Sequence, residues 1–431
     1  MENFLTFLHK YNNDIEKIFS NNLKNTLNIL YNISLNKEEQ IFLVGGIVRD
    51  IFLGKNSGDV DLVLKGDSQA FALSILDKFK VSKHRYTERF LTYNIFTKTG
   101  TNIDIASFRE ETYEYPGALP DVVPSSIEND YMRRDFTINS MYISFDKEAK
   151  LYDPLNGLKD IEDKIVRVIH DKSFEDDPTR IFRAIKFAVR YNFTFDENTK
   201  RLLNEAMENR FLASISNMRL KNEIYMLLAE KNLAGILKYF REYGIFEFLN
   251  FPNPSDEDIE KLEEMINQPF FRKMKFDHKI SKGNFILLFL IRELSYKEKR
   301  EVLKTFELSE KNIDNILFND GQGERLARRL ATRKKDSEIY KLLINVTPFK
   351  ILYLFFMYKS DKKKLKRFIF DLRSKNAIIS GSDLLAAGFE ENASMGKYIE
   401  RCFLIQLDME EPSKDEIIKI LMEELKSNGE I

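Results

Sequence analysis

Apolar residues in the first 35 positions recur near helical spacing, at Phe4, Phe7, Leu8, Tyr11, Ile15, Ile18 and Phe19, and predict helix. From residue 41 the period changes. IFLVGG reads as a short buried strand closed by a glycine pair, and IVRDIFLG returns to helical spacing. DVDLVL alternates charged and apolar residues at period two, as a half-buried strand does. LTYNIFT and TNIDIASF predict two more strands, and MYISFD and KIVRVI the last short ones. Residues 112–126 carry three prolines and a glycine and read as loop. After Ser173 the pattern is helical almost to the end, with breaks near Pro252, Pro254, Pro269, Gly321, Gly323, Gly381 and Pro412. No repeat of fixed period occurs. The pattern thus predicts a mixed α/β head of roughly 140 residues carrying a long helical body.

Composition adds limits. A chain of 431 residues exceeds one hydrophobic core. With 43% hydrophobic and 31% charged residues it is globular rather than disordered. Lys plus Arg number 67 against 68 Asp plus Glu, so the protein is not uniformly basic. Charge is nonetheless segregated: Glu324 to Lys375 holds 16 Lys/Arg against 5 Asp/Glu, and Asn376 to Ile431 holds 5 against 12. Aromatics interleave the basic stretch (Tyr340, Phe349, Tyr353, Phe355, Phe356, Phe368, Phe370). They read either as core beneath a solvated lysine face or as part of a surface for a nucleic-acid backbone. The lone Cys402 excludes a disulfide framework and a thiolate zinc site, and fits a reducing compartment. His9, His84, His170 and His278 are scattered without metal-ligand spacing. The longest apolar runs, Ile286 to Ile291 and Ile351 to Tyr358, fall far short of the ~20 residues a membrane span needs. The N-terminal segment lacks the features of a secretory signal, so the expected location is the cytoplasm, with no membrane partner.

Chemistry concentrates in the head. On a strand, Asp59 and Asp61 project from one face, and two adjacent carboxylates repel unless something cationic neutralises them. Oxygen ligands favour Mg²⁺ or Mn²⁺. Asp104, between Ile103 and Ile105 on a predicted neighbouring strand, is a third candidate. Carboxylates so placed can hold two metals about 4 Å apart, the arrangement used for in-line phosphoryl displacement. Gly45-Gly46 ends a strand and opens a helix, with Arg49 one turn in, which makes an anion cradle from backbone N–H groups and a guanidinium. A P-loop pattern is absent from this segment.

LVGGIVRDIFLGKNSGDVDLVL (43–64), RRDFTINSM (133–141) and DDPTRIFRAIKF (176–187) together resemble the tRNA nucleotidyltransferase/poly(A) polymerase family, the bacterial-type class II CCA-adding enzymes of the polymerase-β-like superfamily. The likeness spans residues 41 to about 225 and returns weakly at GSDLLAAGFEENASMGKYI (381–399). The fold it implies is α+β: a polymerase-β-like mixed-sheet head (41–147) after an N-terminal helical extension (1–40), then a neck with a nucleotide-selecting helix (148–225), a helical body (226–320) and a helical tail with the basic RNA-binding stretch (321–431). The activity it implies is template-independent addition of C and A to the tRNA 3′ end from CTP and ATP, with Mg²⁺ or Mn²⁺ and release of pyrophosphate. Enzymes adding only A, only CC or a poly(A) tail share these motifs. A non-catalytic RNA-binding protein is the distant alternative, disfavoured by the intact acids at 59, 61 and 104.

By motif position, Asp59 and Asp61 resemble the metal ligands and Asp104 the third catalytic acid. The proton of the attacking hydroxyl would pass to Asp104 or to solvent. Gly45, Gly46 and Arg49 resemble triphosphate contacts, and Arg134, Asp135 and Asn139 part of the sugar and phosphate pocket. Residues 176–180 match an E-D-x-x-R motif that selects the incoming base, with Asp177 accepting from an exocyclic amine and Arg180 donating to a base edge; Asp176 stands where the motif has Glu. Asp-Pro is equally a common helix start. Arg180, Arg183, Lys186 and Arg190 fall on one helical face, a one-sign stripe pointing to polyphosphate or nucleic acid. Arg219 and Glu223, four apart, read as a local ion pair.

Overall fold

The computed structural model describes residues 3–35, 40–273 and 281–430; His278 lies outside them. The chain divides into two compact units, residues 1–250 and 251–431.

The first unit opens with helices Phe4–Leu8, Ile15–Ile18 and Asn21–Ser34; of the apolar residues whose spacing predicts helix, Phe4, Leu8, Ile15 and Phe19 are buried and Phe7, Tyr11 and Ile18 partly so. Strands β1 (Ile41–Val44), β2 (Asp59–Leu64), β3 (Val81–Thr87), β4 (Thr92–Thr97) and β5 (Asn102–Ser107) follow. A hairpin of β6 (Arg109–Thr112) and β7 (Asp121–Pro124) comes next, then β8 (Tyr142–Ser144) and β9 (Leu151–Tyr152). Seven strands form one mixed sheet in the order β3-β4-β5-β2-β1-β8-β9. Its β2–β5 pair is parallel and its other pairs are antiparallel.

The alternation in DVDLVL sorts β2 as expected: Val60, Leu62 and Leu64 are at most 1% exposed, while Asp59 and Asp61 turn to the other side. Each such side chain removed from water contributes about 1.5–3 kcal/mol, which fixes the register of β2. Its partner β5 repeats the pattern with Ile103 and Ile105 fully buried. Two elements differ from the sequence reading. Residues 112–126 are not loop throughout, because β7 pairs with β6 across them. Edge strand β3 went unread because VSKHRYT offers no apolar alternation, and its middle residues are exposed.

Helix Thr179–Tyr191 is amphipathic, burying Ile181, Phe182, Ala184, Ile185 and Ala188. Strands β10 (Ile165–Val166) and β11 (Thr194–Phe195) pair in parallel beside it in the sequence.

The second unit is helical among the described residues. The aromatics of the basic stretch mostly form its core: Phe349, Phe355 and Phe368 are at most 2% exposed and Tyr353 is buried, whereas Phe370 remains 47% exposed. Phe270 stacks on Phe355 at 4.1 Å between centroids. Among the described residues no single helix is long and apolar enough to cross a membrane.

Candidate active site

Strand register assembles the acids. Asp59 pairs across β2–β5 with Asn102, and Asp61 with Asp104; Asn94 of β4 stands opposite Asp104 in turn. Directly opposed residues share a face, so all five polar side chains project together. Asn102 Nδ2 donates to Asp59 Oδ1 at 2.9 Å, and Asn94 Nδ2 to Asp104 Oδ1 at 2.6 Å. No donor reaches the Asp61 carboxylate among the described residues. Burial, with Asp104 across the ladder, pushes its carboxyl up to about 7 against the pull of Arg134. Burial also raises Asp104, opposed by the Asn94 hydrogen bond.

The glycine turn closes over this group. Gly45 adopts φ +72°, where an L side chain is strained. A Cβ there would lie 3.4 Å from Asp61 Oδ2 and 3.6 Å from Arg134 Nη1. At Gly46 a Cβ would lie 3.5 Å from Arg49 Nη2 and 3.9 Å from Asp61 Oδ2. Two arginines and a carboxylate therefore meet where the backbone is bare. A cavity of about 250 Å³ opens on this face, lined by Asp61, Asp104, Arg109, Arg133 and Arg134 among others.

Both arginines are oriented by partners and keep spare N–H groups. Arg49, 6% exposed, donates to Asp50 Oδ1 (3.0 and 2.9 Å) and to Asn139 Oδ1 (2.5 Å), and lies over the Phe187 and Tyr191 rings. Of its five donors three are used, leaving two beside the turn. Arg134 donates through Nε to Tyr142 at 2.8 Å and through Nη2 to Asp130 at 2.9 Å, leaving Nη1 toward Gly45. Asp130 is fully buried and also accepts from Arg133 (2.9 and 2.7 Å) and the Tyr142 hydroxyl (2.7 Å). Burial alone would raise its pKa, but Arg134 and Arg133 hold it well below the carboxylate range. Sequence reasoning missed Asp130, although its spacing of three and four to Arg133, the C-cap of helix Ile127–Met132, and to Arg134 just beyond it was a usable signal. Asn94 and Asn102 were also missed; their place on strands flanking the acids was the clue.

Helix Thr179–Tyr191 differs from its sequence reading. Its cations are not a free stripe. Arg180, 4% exposed, donates to Ser173 Oγ at 2.9 Å and to the Arg133 carbonyl at 2.7 Å. Arg183 forms a two-point contact with Asp135, whose other oxygen accepts from Asn139 Nδ2 at 2.9 Å. Arg190 pairs with Glu230. The buried Arg180 demands such partners, and Arg183 and Arg190, their side chains each 41% exposed, lean on one carboxylate apiece, so the cations that helical phase aligns are each drawn to a different one. Only Lys186 in this set has no hydrogen-bond partner among the described residues. Burial, with Arg190 and Arg183 nearby, lowers its pKa. Asp177 accepts from Thr179 N (3.2 Å) and Oγ1 (2.8 Å), the helix-start role its Asp-Pro context allows. It also accepts from Arg219 Nη2 at 2.7 Å, and Arg219 Nη1 donates to the Gly117 carbonyl at 2.7 Å. Arg219 therefore pairs with Asp177 and not with Glu223. Asp176 borders a neighbouring cavity of about 360 Å³ with Arg180, His170 and Tyr113.

Among the described residues, no three His, Cys, Asp or Glu side chains converge as a closed ion cage, since Asp59 and Asp104 each turn to an asparagine. The donor set still fits a divalent cation. Asp59 and Asp61 offer hard oxygen donors on one face, and no hydrogen-bond donor reaches Asp61 among the described residues.

An antiparallel-rich mixed sheet with paired acids beside a Gly-Gly helix start defines a nucleotidyltransferase head. The model for the poly A polymerase head domain matches residues 41–167. The chain is 34% identical to an A-adding tRNA nucleotidyltransferase of Aquifex aeolicus over 77% of its own length and 40% of that protein's. Against a solved CCA-adding enzyme in its apo form it reaches TM-score 0.74 at 27% identity, covering 98% of this chain and 99% of that one. The Thermotoga maritima CCA-adding enzyme complexed with tRNA gives TM-score 0.71 at 25% identity over 98% and 99%. Residues 41–167 belong to the poly A polymerase head-domain family, and the chain as a whole is similar to tRNA nucleotidyltransferases and CCA-adding enzymes. It spans less than half the length of the A-adding relatives that it matches over most of its own.

Proposed function

We propose that this protein adds nucleotides to the 3′ end of tRNA in the cytoplasm, building CCA from CTP and ATP with release of pyrophosphate. The observation that carries this reading is the meeting of Asp61, Arg49 and Arg134 at the bare Gly45-Gly46 turn. Asp59 and Asp61 would hold a divalent cation, Mg²⁺ or Mn²⁺, which would supply charge neutralisation at the triphosphate and acidification of the attacking hydroxyl. The chain's own groups do the rest. Backbone N–H groups at the turn, with the spare donors of Arg49 and Arg134, grip the phosphates. Asp104, its pKa raised on the same face, accepts the proton of the tRNA 3′ hydroxyl. Asp177 and Arg180 read the base edge, Arg219 holding Asp177 in place. Asp135 and Asn139 keep Arg183 and Arg49 aimed at the nucleotide, with Lys186 a further cation for it. Exposed lysines of the basic tail follow the RNA backbone by shape.

Whole-length likeness to CCA-adding structures favours full CCA addition. Addition of A alone is the second reading, favoured by the 34% identity to an A-adding enzyme. Purified protein offered tRNA ending at the discriminator base, at C or at CC, with single or mixed nucleotides and Mg²⁺, separates them by the sequence of the products. Growth of all three acceptors to CCA is expected. Extension of the CC acceptor alone selects A-addition, and no extension of any ends the reading. In the same assay Asp59→Ala with Asp61→Ala is expected to lower addition by about 10³-fold or more.

A further inference from the structure

The helical unit contains a cavity of about 450 Å³ between helices Gln322–Thr332, Asp336–Leu343 and Pro348–Met357. Arg325 and Arg329, one turn apart on the first helix, face it together with Lys341 of the second and Lys350 of the third. None of the four has a carboxylate within 4 Å among the described residues. Arg325 Nη2 meets only the Asp320 carbonyl, at 3.2 Å, and Lys350 Nζ lies 5.4 Å from the centre of the Phe318 ring.

Elsewhere in this unit five arginines meet a carboxylate, Arg333 through Glu338 among them, while Arg272, Arg328 and Arg373 stand singly without one among the described residues. Arg292 pairs with Asp258, Arg300 with Glu310 and Asp314, Arg367 with Asp336 and Asp371, and Arg401 with Glu424 and Glu430. Four unmatched cations around one hollow repel each other, and an anion entering it relieves all four. The hollow is of the size that holds a whole small molecule. Half-buried Leu326, Leu342 and Val346 give it an apolar wall on which a base can rest.

We propose that this cavity binds a free nucleoside polyphosphate, separately from the head: phosphates between Arg325, Arg329 and Lys341, and the base against Leu326 and Val346. A compact polyanion answers four cations in one hollow, whereas an RNA backbone spreads its charges along a track.

The test irradiates the full-length protein with 8-azido-ATP and maps the labelled peptides. Label is expected within residues 318–350, suppressed by excess ATP and by inorganic tripolyphosphate. Arg329→Ala with Lys341→Ala is expected to weaken this labelling roughly tenfold for each cation removed while label in the head persists. Should the double variant misfold, Lys341→Gln alone carries the test at about tenfold. No label in 318–350, label indifferent to the substitutions, or label displaced by tRNA but not by tripolyphosphate would overturn the proposal. Labelling there is independent of whether the head adds nucleotides.

Discussion

With no donor on its carboxylate and Asp104 across the ladder, Asp61 opposes folding whenever it is ionised. Its carboxyl titrates at about 7 in the folded chain against 3.8 when unperturbed, so between those values the folded state holds the extra proton. Stability of the metal-free protein is therefore expected to fall as pH rises from about 3.8 through about 7, the penalty being complete above that. Asp61→Asn is expected to raise the melting temperature at about pH 8 in chelator and to leave it unchanged near pH 4. Equal melting of the two proteins at the higher pH would contradict this. Asp130 presents the opposite case. Fully buried and satisfied by two arginines and a tyrosine, it is stabilising when charged. Asp130→Ala strands the Arg134 guanidinium, while Arg133 keeps Glu111, and is expected to cost about 3–5 kcal/mol in urea unfolding. Because Arg134 loses its anchor, nucleotide addition should drop in the fraction that stays folded.

At the scale of elements, Arg219 ties three pieces of chain together: its own helix Asn217–Leu228, the start of helix Thr179–Tyr191 through Asp177, and the Gly117 carbonyl. Arg219→Ala is expected to cost about 1–2 kcal/mol and to relax discrimination among the four nucleotides more than it slows pyrophosphate release. Retained discrimination in a single-turnover comparison would show that Asp177 is held without it. This bridge was not legible in the sequence. Local spacing favoured Glu223, and only the tertiary fold brings Asp177 within reach. The same reason explains the stripe: helical phase aligned Arg180, Arg183 and Arg190 correctly, but periodicity does not reveal the counter-ions Asp135 and Glu230 or the carbonyl of Arg133. By contrast, β2, β5 and the Gly-Gly helix start were readable, because two-residue alternation and a strand-ending glycine pair are local signals. Strand β7 was hidden by the prolines that bound it, Pro120 just before it and Pro124 at its last position.

Over the whole molecule, charge is divided along the chain more than its net of −1 implies. The helix Lys362–Phe370 exposes Lys362, Lys363 and Lys366, while Lys364 and Arg367 are matched by Asp361, Asp336 and Asp371. If those three lysines contact phosphates, tRNA affinity should fall steeply between about 50 and 200 mM salt. Lys362→Gln, Lys363→Gln and Lys366→Gln together should then flatten the slope of log affinity against log salt by about 2–3. An unchanged slope in filter binding would place the RNA track elsewhere.

Strand β3 has a consequence of a different kind. As an outer strand of the seven-stranded sheet it leaves one row of amide and carbonyl groups open. Lys83, His84 and Arg85 stand exposed along it, and its register slips between Val81 and Lys83. Clustered positive charge and a local irregularity both discourage a second copy from docking edge to edge, so the polar run that made this strand hard to find also guards a crowded solution of the protein against fibrous clumping.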